Sequence, residues 1–333
     1  LGIAVVASPM AAFAQGSCGG ANAGTPRCNT TPFDAPFEPT GWKTVLLDHF
    51  SMQVVDYQKE AAYYNALMGW NVRSDDGKTA MLDIGDWGGV EIRGGLEVPP
   101  APPPAPAAAA GDTAGGRGGR GGRAGGGGRG PARAVWDSMC WGITPWDTKK
   151  VEAELTKRGL NPVADHRGKD FQSFHVKDPD GFGVQISNGN KKNRRTTKAN
   201  GKLSAPPPFE PTGWKSLWLD HISFSCTSYK ESAAFYAALL GWQSGEDEGS
   251  QNTMVISPEI GGIIVRGGNA NAPGGLAAGR GGRGGAPAES TAPLVRRSVI
   301  NHVSFGIASF DPDAVLAELT TRGLTARVDT GGR

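Results

Sequence analysis

The chain writes one pattern twice. Glu38–Trp70 aligns without gaps to Glu210–Trp242, each copy introduced by "PFEPTGWK" at Pro36–Lys43 and Pro208–Lys215. The likeness continues. "KTAMLDIGDWGGVEIRGG" (Lys78–Gly95) matches "QNTMVISPEIGGIIVRGG" (Gln251–Gly268), and "VEAELTKRGL" (Val151–Leu160) matches "VLAELTTRGL" (Val315–Leu324). Self-similarity on this scale means two copies of one folding unit in tandem, and 333 residues suffice for two ordinary domains.

Each unit has an internal rhythm. Val45–Val54 alternates as a half-buried strand does, and Lys59–Met68 carries helical spacing that stops at Gly69. Short strand-like runs follow around Trp70–Val72, Thr79–Ile84 and Val90–Arg93. The cycle then restarts with a strand at Ser138–Ile143 and a helix at Thr148–Arg158 that stops at Gly159. A hairpin closes it, with "FQSFHV" and "FGVQIS" around "DPDG", where proline presets φ and glycine accepts a positive φ. The second unit repeats this order and stops at "RVDTGGR", before its last hairpin, so the sequence reads as part of a longer protein.

Composition divides the rest. Residues 1–14 open with an apolar run ending in Ala12-Phe13-Ala14, the small-x-small signature of a signal-peptide remnant, which predicts a periplasmic or secreted protein. That run is too short to span a bilayer, so no stable membrane span is expected. In the N-terminal segment 15–40, Cys18 and Cys28 could close a small disulfide loop in an oxidising compartment. Cys140 and Cys226 fall in predicted strands, where a small buried residue is the simplest reading. Residues 96–133 and 269–293 are Pro/Gly/Arg-rich without apolar periodicity, and read as flexible inserts in units spanning 41–189 and 212–333. A basic linker, 190–211, joins the units. Arg-Gly runs can bind RNA, but these contain no aromatic residue for base stacking, and net charge is only +2; a nucleic-acid partner is not expected.

These features together resemble the vicinal oxygen chelate superfamily, which includes glyoxalase I, fosfomycin and bleomycin resistance proteins and extradiol dioxygenases. The residues that carry the resemblance are "LDHFSMQV", "YYNALMGW" with "FYAALLGW", "RGL" after a second helix, and "DPDGFGVQIS". The resemblance implies an α+β fold of tandem paired βαβββ modules forming incomplete barrels, with the second domain C-terminally truncated. It implies a divalent metal (Fe, Mn, Zn or Ni) held by the first and last strands of each module, and a small oxygenated substrate chelated in the cleft. The activity would be that of a glyoxalase-like lyase or isomerase or of a ring-cleaving dioxygenase; the alternative is a non-catalytic protein that sequesters a small molecule. One scaffold hosts many chemistries, so substrate and oligomeric state stay open.

Carried over one at a time, the ligand positions of the first unit are His49, Glu91, Ser138 and Gln185, with Glu91 also the candidate proton-transfer group. Ser138 is a poor ligand. Those of the second unit are His221, Ile264 and His302, the fourth lying beyond Arg333. Two histidines plus one carboxylate would suit Fe(II) or Mn(II). His175 lines the cleft or packs, and His166 sits in a polar, exposed loop. Asp48 and Asp220 precede the histidines and, by strict alternation, face the opposite side of the strand.

Overall fold

The computed structural model describes residues 34–85, 88–97, 134–167, 170–196, 201–248, 251–257, 259–267 and 298–326. The signal-like segment, Cys18, Cys28 and nearly all of both Gly-rich inserts lie outside these.

Unit 1 runs β1 (Lys43–Val54), α1 (Tyr57–Met68), β2 (Asn71–Asp75), β3 (Thr79–Ile84), β4 (Gly88–Arg93), then β5 (Ala134–Thr144), α2 (Thr148–Lys157), β6 (Val163–Ala164), β7 (Ser173–Lys177) and β8 (Gly183–Ser187). All eight strands form one open sheet in the order β2-β3-β4-β1-β5-β8-β7-β6. Its centre is an antiparallel β1–β5 pair flanked by the parallel neighbours β4 and β8. A short helix, α3 (Lys191–Thr196), begins the linker. The linker then returns to unit 1, where Gly201 N donates to the Arg73 carbonyl and Ser204 N to Gln58 Oε1.

Unit 2 repeats the plan with β9 (Ser216–Ser225), α4 (Tyr229–Leu240), β10 (Gln243–Asp247), β11 (Gln251–Ser257), β12 (Gly261–Arg266), β13 (Val299–Ile307) and α5 (Pro312–Thr321). Its described strands are ordered β10-β11-β12-β9-β13. The helices start where side chains cap them. Asp56, Asp147, Ser228 and Asp311 each accept the backbone N–H three residues on. Among the described residues no helix is long and apolar enough to cross a membrane.

Alternation gives each sheet two faces. Phe50, Met52, Val90, Ile92, Met139, Val184 and Ile186 are buried together in the core, as are Ile222, Phe224, Ile263 and Val265 in unit 2. The intervening positions carry polar groups. His49, Ser51, Glu91 and Gln185 share the other face of unit 1, and His221 and Ser223 share it in unit 2.

The units also lock to each other reciprocally. Thr40 at the entry to unit 1 donates to carbonyls at the end of α4, through N to Ala238 and Oγ1 to Leu239. Thr212 does the same to Ala66 and Leu67 at the end of α1. The helix-ending glycines, Gly69 (φ 66°) and Gly241 (φ 73°), lie so close to the Trp214 and Trp42 carbonyl oxygens that a Cβ would overlap them. The repeated "TGW" and "GW" are therefore two halves of one contact, each half supplied to the opposite unit.

Candidate metal centre

The polar face of unit 2 brings its two histidines together from different modules. His221 lies on β9 and His302 on β13. Cross-strand pairing sets His302 opposite Ser223 and Ser304 opposite His221. The imidazoles meet with Nε2 of His221 3.1 Å from Nε2 of His302 and ring planes at 79°. His221 Nδ1 lies 2.8 Å from Asp220 Oδ2, with Ser304 Oγ donating to the same oxygen at 3.4 Å. The carboxylate fixes the proton on Nδ1 and leaves the Nε2 lone pair facing His302.

Asp220 reaches its neighbour because β9 and β13 slip register beside it. Phe305 pairs with Leu219 and Ser304 with His221, so the register steps over Asp220. Unit 1 repeats this. Trp141 pairs with Leu47 and Cys140 with His49, so Asp48 bulges out and its Oδ2 sits 2.7 Å from His49 Nδ1. Strict alternation had assigned both aspartates to the opposite side. The bulge overturns that reading by letting consecutive residues point one way. The signal was in the sequence, which writes "DH" at the same place in both copies.

Unit 1 assembles a different set. Its registers place Ser51 beside both Glu91 and Ser138, as Ser223 lies beside Ile264 and His302 in unit 2. The residue-by-residue correspondence between the units therefore holds in register. His49 is buried, with Nε2 4.0 Å from Glu91 Oε2. Ser51 Oγ donates to Glu91 Oε2 at 3.1 Å, and Arg167 Nη1 donates to Glu91 Oε1 at 2.9 Å. Burial would raise the Glu91 pKa, but His49 and Arg167 outweigh it and hold the carboxyl below its usual range. Ser138 turns to Asp137, and Gln185 donates to Ser173 Oγ at 2.9 Å and Asp165 Oδ2 at 3.3 Å. Asp165 also pairs with His175 at 3.1 Å and with Arg167 at 3.5 Å. His166 is exposed and accepts the Ser173 backbone N–H.

Cys140 is the residue the sequence reading passed over. It pairs with His49 on one side and Gln185 on the other. Asp48, His49 and Cys140 bring one ligand atom each within 4.8 Å of one another, a group that could hold a metal ion. Complete burial pushes the Cys140 thiol well above its usual pKa, so it is protonated at neutral pH.

No protein-family model matches the sequence, and a search of curated proteins finds no significant match. Solved structures do match. The Mn(II)-bound glyoxalase from Novosphingobium aromaticivorans aligns over 85% of this chain and 72% of its own, with TM-score 0.50 and 13% identity. Homoprotocatechuate 2,3-dioxygenase from Arthrobacter globiformis aligns over 88% and 72%, with TM-score 0.50 and 15% identity. The chain has the vicinal oxygen chelate fold. At these identities the likeness speaks for the scaffold, and the chemistry has to be argued from the residues the scaffold carries here.

Proposed function

We propose that the protein is a divalent-metal-dependent member of this fold, binding a small oxygenated molecule beside His221 and His302. One observation carries the reading: two imidazole Nε2 atoms, from strands of different modules, stand 3.1 Å apart. Metal–nitrogen bonds of about 2.1 Å span roughly 3.0–3.4 Å between two ligands at right-angled to tetrahedral geometry. The donor set fits a shared ion. Asp220 orients one ligand from behind, and the site is open enough for a substrate to enter. An ion held there would need the lone pairs of both Nε2 atoms. Ile264 supplies no ligand, which leaves positions free for further ligands and for substrate oxygens. A bound ion would act as a Lewis acid toward vicinal oxygens; the chain's part is to orient the imidazoles and shape the cleft.

The group Asp48, His49 and Cys140 supports a second reading, in which unit 1 holds the ion, with Glu91 and Gln185 as further ligands. Unit 2 is favoured because Glu91 and Gln185 are engaged by Arg167, Ser51, Asp165 and Ser173, and the thiol would have to lose a proton it holds tightly. Metal analysis decides between them. Loss of bound metal in His221→Ala and His302→Ala, with retention in His49→Ala, supports unit 2; the converse places the ion in unit 1. Metal content unchanged in all three variants defeats both. Ligand binding that survives complete chelation identifies a non-catalytic binder. Export belongs to the same proposal, on the strength of Ala12-Phe13-Ala14; a mature N-terminus at Gln15 checks it.

A further inference from the structure

The two units differ in charge at matched positions of the polar face. Arg93 ends β4 and Arg266 ends β12, and they occupy equivalent places in the repeat. In unit 1 the Arg93 guanidinium is paired with Asp137, and Glu91 lies two residues before it on the same face. In unit 2 both acidic groups are gone. Ile264 replaces Glu91. Asn301 replaces Asp137, in the same bulged position, since the register skips it between Ile300 and His302 as it skips Asp137 between Trp136 and Ser138.

Arg266 consequently has a different environment. Its Nε donates to Ser223 Oγ at 3.1 Å, a neutral hydroxyl. In unit 1 the matching Ser51 donates to Glu91. Asn301 Nδ2 is directed to Ser225 Oγ at 2.6 Å and offers Arg266 no charge. Among the described residues no carboxylate pairs with Arg266, although the side chain is half-buried. A guanidinium whose side-chain partner is a neutral hydroxyl, reached through Nε alone, keeps its terminal N–H groups for an anion. Ser223, which Arg266 touches, is paired with His302 and stands two residues from His221.

We infer that Arg266 binds an anionic group, a carboxylate or similar oxyanion, of the molecule held at the His221/His302 centre. The inference rests on the two-histidine reading and narrows it to acidic substrates. Exchange of Asp137 for Asn301 is the specificity-determining difference, because it releases the arginine from an internal partner. Arg266 is a binding residue in this scheme, and Asn301 acts through it.

Two probes isolate the effect. Malate and lactate share a chelating 2-hydroxy acid end, and only malate carries a second carboxylate. The full chain is loaded with Co(II), whose visible band reports the metal, and titrated with each. The wild type should bind malate at least about 10-fold more tightly than lactate, the worth of one charge-assisted hydrogen bond. Arg266→Gln should abolish that preference, Arg266→Lys should keep part of it, and Asn301→Asp should suppress it by restoring the internal pair. Lactate binding and the cobalt band should persist in Arg266→Gln. An equal preference for malate in the wild type, Arg266→Gln and Asn301→Asp would overturn the inference, as would no preference in the wild type. If the wild type shows no cobalt band, the two-histidine reading fails on its own. Calorimetric malate binding that Arg266→Gln abolishes would then still support the arginine, and absence of malate binding would remove it too.

Discussion

The indole Nε1–H of Trp242 donates to Thr44 Oγ1 at 2.9 Å, across the boundary between the two units. Trp70 makes the mirror contact with Ser216 Oγ, also at 2.9 Å. Each tryptophan stacks on a tyrosine of the helix that precedes it, Trp242 on Tyr236 and Trp70 on Tyr64. The lock is thus tied to both cores, and neither unit ends where its own strands end.

That lock predicts the cost of filling its glycines. Gly241→Ala places a methyl group on a residue held at φ 73° and against the Trp42 carbonyl oxygen. The left-handed backbone alone costs a non-glycine residue about 1–2 kcal/mol, and the overlap adds to it. Gly69→Ala should behave alike through Trp214. Urea denaturation should show each variant losing about 2 kcal/mol or more. Alanine tolerated at both sites would contradict the reciprocal contact.

The bulged aspartates offer a test of which unit holds the proposed ion. Asp220→Asn weakens the hold on the His221 tautomer, so metal affinity should fall about 10- to 100-fold. Asp48→Asn alters His49 in the same way but should leave metal affinity unchanged if, as proposed, the ion is held by His221 and His302. Isothermal titration with Mn(II) compares them. A larger loss from Asp48→Asn would move the metal to unit 1.

Legibility differed by level. The repeat, the module order and the pairing of His302 with the Ser138 position were readable, because apolar periodicity and register are one-dimensional facts. The direction of Asp48 and Asp220 was not, since one inserted residue in a strand reverses every parity argument beyond it. The partners of Glu91 were not readable either: Arg167 reaches it from a loop far along the chain, and no local pattern encodes such an approach. Cys140 looked like packing because burial and ligation ask for the same small residue.

Glu91 predicts an acid-side effect. Its folded-state pKa lies below the unfolded value, so its stabilisation is present above that value and is lost as pH falls through the folded one. Glu91→Gln should flatten the decline in stability on acidification below about pH 4.5. Arg167→Met should shift the Glu91 carboxyl titration, followed by NMR, to higher pH. An unmoved titration in that variant would show that the guanidinium is not what holds Glu91 ionised.

Asp178 predicts the opposite sign. It sits in the turn between β7 and β8, where its Oδ1 accepts the backbone N–H groups of Asp180 and Phe182 and Tyr236 of unit 2 donates to Oδ2 at 3.3 Å. Burial pushes its pKa up to about 6, with Asp180 adding to the rise against the hydrogen bonds. A raised acid favours the folded state when protonated. Its contribution is therefore complete at low pH and is lost as pH rises from about 4 to about 6. The loss is about 2–3 kcal/mol. Asp178→Asn keeps an oxygen acceptor for the two N–H groups and removes the titration. The variant should gain on the wild type at pH 7 and match it near pH 4, by urea denaturation at both values. An advantage that is the same at both pH values would exclude ionisation of Asp178 as its source.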